Sequence, residues 1–430
     1  MPIEKRTWAG IAAVTGIIAA TVAIGVPRRA AHAPLSSRSP AVAVAPEPAS
    51  SEGRGAAPSS STENPVAPSL PPLGVPQRPF HFAEVMDVST FQKGNIHTHT
   101  NWSDGDHPPK DVYLWYRSHG YAFVAITDHN TFTDPAQFLY VEKPGAFVII
   151  PGEEVTMIGN GHQVHVNAIC TRHTVGGHRS DIAAEALAWA VQRITEQGGV
   201  ALVNHPNFDW SLTARDILGA RGASLLEIAS GHPWVHTEGD ETHLSHEAIW
   251  DTLLSSGETF AGVAVDDAHS YGSHPPERML PKLARPGRAW IEVFAEVPER
   301  KAICGALAAG RLYASTGVKL RRIHVEGDTY AVTSGTPGVE VEFIGQGGRL
   351  LARVKPSADQ VASYRLRGDE GYVRARITAA DGKRAWTQPS RLATEPVAKG
   401  PPAPVPDLDA GVPQAPSVPA LELPATAPAR

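Results

Sequence analysis

The stretch Phe91–Gly105, FQKGNIHTHTNWSDG, carries a short apolar run directly into His97, His99 and Asp104. Apolar runs that end in His, Asp or Glu recur in TDHN (127–130), PGEE (151–154), HVN (165–167), NHPN (204–207) and DAH (267–269). A barrel of parallel strands gathers the ends of its strands around one point. The pattern therefore predicts an α/β fold that surrounds a multinuclear metal site.

The spacing of the histidines supports this prediction. His97 and His99 flank one residue, so on an extended strand end both side chains emerge on the same side. Of the 19 histidines, 16 lie between residues 97 and 274, and several stand beside carboxylates. Mixed imidazole and carboxylate ligands suit Zn, Mn or Fe. The sequence leaves the identity of the metal open.

Apolar runs alternate with helical patterns through the middle of the chain. The runs at 94–96, 122–127, 146–150, 164–169, 200–203, 224–228 and 259–265 predict strands. The patterns at 109–119, 181–197, 244–256 and 298–309 predict helices. In the second helix Leu187, Val191 and Ile194 share one face, and Ser180 is the expected N-cap. This alternation predicts a seven-stranded parallel (β/α) barrel over residues 81–318.

After residue 318 the pattern changes to the alternation of antiparallel strands. The predicted strands are 321–325, 339–344, 350–354, 364–367, 372–378 and 384–387. Asp381–Gly382 predicts a hairpin turn before the last of them. Residues 319–393 are therefore expected to form a small β-rich module that packs on the barrel or positions the substrate.

The two ends of the chain differ in composition from its middle. Lys5 and Arg6 precede an uncharged stretch (7–26) and an A-x-A signal that ends at Ala33, which predicts a signal peptide or a signal anchor over 1–33. Residues 34–80 and 394–430 are rich in Pro and Ala and are expected to be a disordered linker and tail. The expected location is periplasmic, extracellular or membrane-anchored with an extracytoplasmic catalytic domain.

The net charge of the chain indicates which binding partners to expect, and the positions of its cysteines indicate whether their thiols are free. The net charge of −6 and the pI of about 6.3 give no sign of a nucleic-acid surface, so a small-molecule substrate is expected. Nucleic acid is not an expected partner, whereas a membrane tether through the N-terminal segment is. Cys170 and Cys304 lie in apolar segments, which predicts buried free thiols, with a single bridge as the alternative.

Taken in order, six motifs resemble those of the polymerase and histidinol phosphatase (PHP) metallohydrolases: HTHTNWSDG, AITDHNT, PGEEVT, HVNAI, VNHPN and VDDAH. The resemblance covers most of residues 90–318. The segment YVRARITAADGKRAW (372–386) is similar to the end of the β-module in an exported, carbaryl-hydrolase-like branch. The resemblance implies a PHP-type distorted barrel and two or three divalent ions, Zn, Mn or Fe.

The resemblance also implies which residues hold the ions. One ion is assigned to His97, His99 and Asp267, a second to Asp104, His129 and His269, and a third to His165 and His205, with Glu154 bridging the first and third. Three neighbouring residues, Glu153, His162 and Asp266, compete with Glu154, His165 and Asp267. Motif spacing favours the later residue of each pair, because only one can face the site on an extended backbone.

Further candidates lie beside the ligands. Asp128, Asn130 and Asn204 each adjoin a predicted ligand and are expected either to orient an imidazole or to cap a turn. Glu227 ends the strand at 224–228 and is expected to hydrogen-bond substrate or a ligand, or to close a buried ion pair. Four histidines between these motifs are expected to lie on a solvated loop: His232, His236, His243 and His246.

The function that these residues imply is metal-dependent hydrolysis. A hydroxide that bridges two ions would attack the substrate, most readily a phosphoester, and Asp267 would either accept a proton or serve as a ligand only. Ester, carbamate or amide hydrolysis on the same site is the alternative. A non-catalytic tethered metal-binding module is the hypothesis of another class, whereas a polymerase-associated nuclease is opposed by the export signal and the absence of a basic surface.

Overall fold

The computed structural model describes residues 86–87, 90–272 and 282–390. The predicted signal segment (1–33), linker (34–80) and tail (394–430) lie outside these residues. Within the described part of the chain, no helix combines the length and the apolar character needed to cross a membrane.

The first part of the described chain alternates strands with helices. The strands are β1 (Met86–Asp87), β2 (Phe91–Asn95), β3 (Phe123–Ala125), β4 (Val148–Ile150), β5 (Gly152–Gly159), β6 (His162–Ile169), β7 (Arg179–Ser180), β8 (Val200–Val203), β9 (Leu225–Ser230) and β10 (Ala261–Val265). The helices are α1 (Pro109–Ser118), α2 (Ala183–Glu196), α3 (Ala214–Ile217) and α4 (His246–Ser255), with 3-10 turns at Pro135–Val141 and Phe208–Trp210. The fold class is thus mixed α/β.

The remainder is largely strand. Its elements are β11 (Trp290–Phe294), α5 (Arg300–Ala308), β12 (Leu312–Ser315), β13 (Leu320–Glu326), β14 (Thr329–Ser334), β15 (Glu340–Gly345), a 3-10 turn (Gln346–Gly348), β16 (Arg349–Val354), β17 (Val361–Arg365), β18 (Arg374–Thr378) and β19 (Arg384–Thr387). All four predicted helices are present, with ends within two residues of those expected from the sequence. The hairpin turn at Asp381–Gly382 joins β18 to β19 as predicted.

These strands form three sheets. One runs in the order β10-β9-β8-β6-β5-β7, and a second in the order β16-β15-β18-β19-β12-β11-β2-β3-β4. The third, β1-β13-β14-β17, is antiparallel throughout. Because β12 pairs with β19, the predicted module shares a hydrogen-bonded sheet with the predicted barrel, across the boundary placed at residue 318.

The predicted closed seven-stranded barrel is not found among the described residues. Within the described ranges, strand pairing between the six-stranded and nine-stranded sheets is limited to isolated bridges, such as the one between His129 and Glu154. The strand pairing also differs from the prediction, because β5 and β6 form an antiparallel hairpin where the sequence predicted a single parallel strand. The two sheets instead enclose a common core, to which Ile150 and Val263 both belong.

Helix α2 covers the other face of the six-stranded sheet. Leu187, Val191 and Ile194 are fully buried there, as their spacing predicts. Ser180 is not the N-cap, because the helix begins at Ala183 and Ile182 occupies that position. The Ser180 hydroxyl instead accepts a hydrogen bond from the Ile182 N–H and donates one to the Glu185 carboxylate.

The prediction of free thiols is wrong, because Cys170 and Cys304 form a disulfide. Cys170 follows β6 with a positive φ of 60°, and Cys304 lies in α5, so that their Cα atoms are 6.1 Å apart. This separation is within the range that a disulfide requires. The bridge is buried in the core between the two sheets and joins parts of the chain that are 134 residues apart.

Candidate metal centre

All nine side chains that the PHP resemblance assigns as ligands converge on one end of the two facing sheets. They are His97, His99 and Asp104 after β2, His129 after β3, Glu154 in β5, His165 in β6, His205 after β8, and Asp267 and His269 after β10. Backbone hydrogen bonds hold two of these segments together. The Asp267 N–H donates to the His97 carbonyl and the His99 N–H to the Ala268 carbonyl, both at 2.9 Å.

Glu154 lies at the middle of the cluster and is fully buried. Its carboxylate oxygens lie 3.0 Å from His165 Nδ1, 3.1 Å from His129 Nδ1, 3.2 Å from His99 Nε2, and 3.4 Å from His97 Nε2 and His205 Nε2. A carboxylate with two oxygens that face different imidazoles has the geometry of a bridging ligand. This placement agrees with the bridging role that the PHP resemblance implies for Glu154.

Asp267 forms the second buried carboxylate of the cluster. Its Oδ1 lies 3.2 Å from His97 Nε2 and 3.3 Å from His99 Nε2. The backbone of Asp267 has a positive φ of 47°, in the left-handed region that non-glycine residues seldom adopt. Such strained residues cluster at functional sites, where the surrounding structure holds them.

Asp104 marks the open side of the cluster, since its side chain is about half exposed. Its carboxylate lies 3.4 Å from His99 Nδ1 and from His269 Nε2, and 3.5 Å from His129 Nε2. Gly105 packs against the backbone of His99, where a Cβ would come within 2.7 Å of the carbonyl carbon. Only glycine allows the SDG turn to lie this close to the HTH segment.

A divalent cation fits this donor set. Among the described residues, four buried atoms that face the cluster have an imidazole or carboxylate atom 3.0–3.2 Å away but make no hydrogen bond of acceptable geometry: His97 Nε2, Glu154 Oε2, His165 Nδ1 and Asp267 Oδ1. Buried polar atoms that are not satisfied by hydrogen bonds are costly, and four of them around one point fit coordination of a cation. Imidazole nitrogens and carboxylate oxygens are the donors that Zn, Mn and Fe accept.

The electrostatics of the cluster also favour a cation. Burial alone would raise the pKa of Glu154, but the imidazoles of His165, His97 and His129 outweigh it and hold that pKa well below the ordinary value. Burial would likewise lower the pKa of His99, yet Asp267 and Glu154 raise it to about 10. Ionised carboxylates thus demand positive charge from their surroundings, which a metal ion supplies when it displaces the imidazole protons.

Glu227 and Asn204 each form a hydrogen bond with a candidate ligand and so fix its orientation. Glu227 Oε2 lies 3.2 Å from His97 Nδ1, so the carboxylate can accept that N–H while His97 Nε2 faces Asp267. This is the arrangement in which a carboxylate fixes the tautomer of a metal-binding histidine. Asn204 Nδ2 donates to Glu154 Oε1 at 2.7 Å, so Asn204 orients a carboxylate and not the imidazole that the sequence suggested.

The other two predicted supporting residues act on the backbone. Asp128 accepts hydrogen bonds from Thr100 N–H at 2.7 Å and from the Ser103 hydroxyl at 2.7 Å, and so braces the loop that carries Asp104. Asn130 exchanges hydrogen bonds with the backbone of Thr156 in β5. Each therefore positions a ligand-bearing segment without contact to an imidazole.

The three ambiguous pairs separate clearly. Glu153 accepts the Val175 and Gly176 N–H groups, away from the cluster. His162 is about half exposed and pairs with Asp209 at 3.0 Å. Asp266 accepts the N–H groups of the segment Gly287–Ala289 and the Tyr116 hydroxyl. In each pair the later residue faces the cluster, and for the two pairs on β5 and β6 this follows from the alternation of side chains along extended backbone.

Some supporting residues were not found from the sequence. Thr156 Oγ1 lies 2.6 Å from His129 Nδ1, and Gln163 Oε1 lies 3.1 Å from His165 Nε2. Asn167 Nδ2 donates to the Ile96 carbonyl at 3.0 Å and thereby ties β6 to the segment before His97. The signal for Asn167 was present in the HVN motif, whereas Thr156 and Gln163 become recognisable only once the β5–β6 hairpin is known.

Two cavities share Pro233 and His236, on the loop after β9, in their walls. One, of about 450 Å³, runs from Ser230 and His232 to Arg384 and Trp386 of the β-module. The other, of about 490 Å³, is lined by Gln163, Phe208, Asp209, Pro233, Trp234 and His236. Both have volumes within the range of small-molecule sites, and their walls contain none of the nine candidate ligands.

The structure is similar to several solved structures at low sequence identity. A two-domain protein from Bacteroides vulgatus that contains a predicted PHP-like metal-dependent phosphoesterase is 17% identical, with 73% of this chain and 99% of that chain covered and a TM-score of 0.39. A candidate metal-dependent phosphoesterase from Bifidobacterium adolescentis is 15% identical (43% and 90% covered, TM-score 0.33). An amidohydrolase from Chromobacterium violaceum with bound sulfate and no metal is 17% identical (43% and 92% covered, TM-score 0.32).

No family model matches the chain, and no curated protein matches it. The Bacteroides vulgatus structure is described as PHP-like, and PHP is also the family whose motifs resemble those of this chain. None of these three structures is named as a member of the carbaryl-hydrolase-like branch.

Proposed function

We propose that this protein is a PHP-type metal-dependent hydrolase that acts on phosphoesters. The observation that carries the proposal is the convergence of four buried nitrogen and oxygen atoms that make no hydrogen bond of acceptable geometry. They belong to His97, Glu154, His165 and Asp267, within a cluster of imidazoles and carboxylates. Divalent ions at such a cluster lower the pKa of water and act as Lewis acids on a substrate oxygen.

The residues of the chain have distinct tasks in this proposal. Glu154 joins two parts of the centre, because its oxygens face His165 on one side and His99 on the other. Glu227 and Asn204 fix the orientation of His97 and Glu154. Asp267 Oδ1 lies at the centre, 3.2 Å from His97 Nε2 and 3.3 Å from His99 Nε2, where it would accept the proton that hydrolysis releases.

The experiment that tests the proposal is hydrolysis by the full chain, loaded in turn with Zn, Mn and Fe. Aryl phosphomonoesters and phosphodiesters are compared with aryl esters, carbamates and amides, and the metal content is measured by mass spectrometry. Asp267→Asn keeps the shape of the side chain, and Asn tolerates a positive φ. We expect this variant to lose more than about 100-fold in kcat/KM. Loss of a residue that only hydrogen-bonds to a metal ligand already lowers activity by about 10–100-fold.

The outcomes separate the hypotheses. Metal-dependent phosphoester turnover that Asp267→Asn lacks supports the proposal. Turnover of the carbonyl substrates alone replaces it with ester, carbamate or amide hydrolysis on the same site. Full metal occupancy without turnover of any substrate favours the non-catalytic metal-binding module.

We also propose that the protein works outside the cytoplasm. The basic and then uncharged segment over 1–26 has the character of an export signal, and the Cys170–Cys304 bridge is of the kind that persists in oxidising compartments. Cell fractionation of the full chain and of a chain without residues 1–33 tests this. Equal distribution of the two between the cytoplasm and the extracytoplasmic fraction contradicts the proposal.

A further inference from the structure

His232 lies on the loop after β9, beside the candidate metal centre. The centroid of its ring is 5.3 Å from that of His269, with the two planes at 66°. The ring is half-buried and forms part of the wall of the 450 Å³ cavity. Burial lowers the pKa of His232, and the groups whose charges act on it include Asp267 and His205. The sequence predicted a solvated loop here, but His232 is turned towards the centre.

The backbone holds His232 tightly in this position. The Gly231 N–H donates to the Val265 carbonyl at 2.8 Å, and a Cβ on Gly231 would come within 2.8 Å of the Asp266 carbonyl oxygen. Glycine is therefore required for the loop to pass so close to the segment that carries Asp267. The His232 N–H also donates to the Ser230 hydroxyl at 3.2 Å. The loop thus has a fixed start, and His232 is its first side chain.

The hydrogen bonds of the ring determine where its proton lies. His232 Nδ1 accepts the Trp234 backbone N–H at 3.3 Å. A nitrogen that accepts a hydrogen bond carries no proton, so the neutral ring carries its proton on Nε2. Among the described residues, no protein group is recorded as the acceptor of that N–H. His232 thereby offers one donor at the edge of the metal centre while its other nitrogen is engaged by its own loop.

We propose that His232 is a catalytic residue whose Nε2–H donates to a non-bridging oxygen of the phosphoryl group that is hydrolysed. The proposal rests on the proposed phosphoester hydrolysis and adds a substrate contact made by the chain itself. In the transition state of phosphoryl transfer the negative charge is spread over the three equatorial oxygens, and a fixed donor aimed at one of them stabilises that charge. His232 needs no proton transfer for this role.

Two substitutions separate the donor from the rest of the ring. In His232→Asn the amide oxygen can take the place of Nδ1 and accept the Trp234 N–H, but no donor remains at the position of Nε2. In His232→Gln the longer side chain brings an amide N–H to the position of Nε2. His243→Gln is the matched control, because His243 is exposed, contacts Asp240 and Trp210, and is not part of the wall of either cavity.

With the full chain loaded with metal, we expect His232→Asn to lower kcat for an aryl phosphomonoester by about 10²–10³-fold, as loss of one donor to a developing oxyanion does. His232→Gln should recover at least about tenfold of this loss, and His243→Gln should match the unaltered protein. The metal content should be the same in all four proteins. A reduced metal content in His232→Asn, or an unchanged kcat, overturns the proposal.

Binding of inorganic phosphate, measured by calorimetry on the same metal-loaded proteins, gives a result that does not depend on turnover. We expect His232→Asn to bind phosphate at least about tenfold more weakly than the unaltered protein and His232→Gln to fall between them. If no phosphoester is hydrolysed but this order holds, the proposed function fails and the donor role of His232 stands. Equal affinities, or no phosphate binding to the unaltered protein, overturn the role of His232.

Discussion

At the scale of single residues, the candidate site depends on which of two neighbouring side chains faces inward. His162 and His165 both lie on β6, yet His165 is buried with Nδ1 3.0 Å from Glu154, whereas His162 pairs with the exposed Asp209. The two positions therefore form a natural matched pair. Chemically identical changes at them should have unequal effects.

We expect His165→Gln to weaken metal binding by more than about tenfold. A ligand contributes at least as much to metal affinity as a residue that hydrogen-bonds to it. His162→Gln should leave metal binding within about twofold, since an exposed ion pair contributes little. Titration with Zn against a competing chelator measures both. Equal weakening in the two variants would contradict the assignment of His165 as a ligand.

The same residue scale shows how far the sequence could go. The nine ligands of the cluster were assigned through the resemblance of six motifs to those of the PHP metallohydrolases, because these motifs are local in sequence. Thr156 and Gln163 were not, since their contacts with His129 and His165 require the pairing of β5 with β6. Asn204 was predicted as a supporting residue, but its partner, Glu154, lies 50 residues away and could not be read from spacing.

At the scale of elements, helices were easier to predict than strands. Their apolar faces extend over several turns, so α1, α2, α4 and α5 were all expected. β5 was missed because its residues are split between ligands and core, so Glu154 interrupts the apolar run. β14 was missed because its sequence, TYAVTS, is too short to show a clear alternation of apolar and polar residues. The antiparallel pairing of β5 with β6 differs from the parallel barrel that the sequence predicted.

One element-level contact joins α4 to the β-module. Arg374 of β18 is almost fully buried, with Nε 2.8 Å from Asp251 Oδ1 and Nη2 2.6 Å from Asp251 Oδ2. Its Nη2 also lies 2.7 Å from Glu247, and the guanidinium stacks 4.9 Å from the centre of the Trp250 ring. These groups have lost their hydration, so each depends on the other for its charge to be compensated.

We expect Arg374→Met to lower the free energy of unfolding by about 3–5 kcal/mol, because it leaves Asp251 buried without its cation. Adding Asp251→Asn should restore part of the loss, since the neutral amide can still accept from the Tyr372 hydroxyl. Urea unfolding of the single and double variants gives the coupling free energy between the two positions. Strictly additive losses would show that the pair is not coupled.

At the scale of the whole molecule, the disulfide is the longest covalent constraint in the described chain. It ties Cys170, at the end of β6, to Cys304 in α5, and so connects the six-stranded sheet to the helix that follows β11. The sequence could not predict it, because two cysteines 134 residues apart carry no information about their distance in space. Only the packing of the two sheets around one core brings them together.

We expect reduction of this bridge to lower the free energy of unfolding by about 4–5 kcal/mol, the value that loop-closure entropy gives for a loop of this length. Thermal unfolding of the full chain, with and without a reducing agent, measures the effect as a fall in Tm. Cys304→Ala is the control, since it cannot form the bridge while leaving the positive φ of Cys170 untouched. The reducing agent should lower the Tm of the unaltered protein and leave that of Cys304→Ala unchanged. An unchanged Tm, with both thiols shown by alkylation to be free, would mean that packing alone holds the two sheets together.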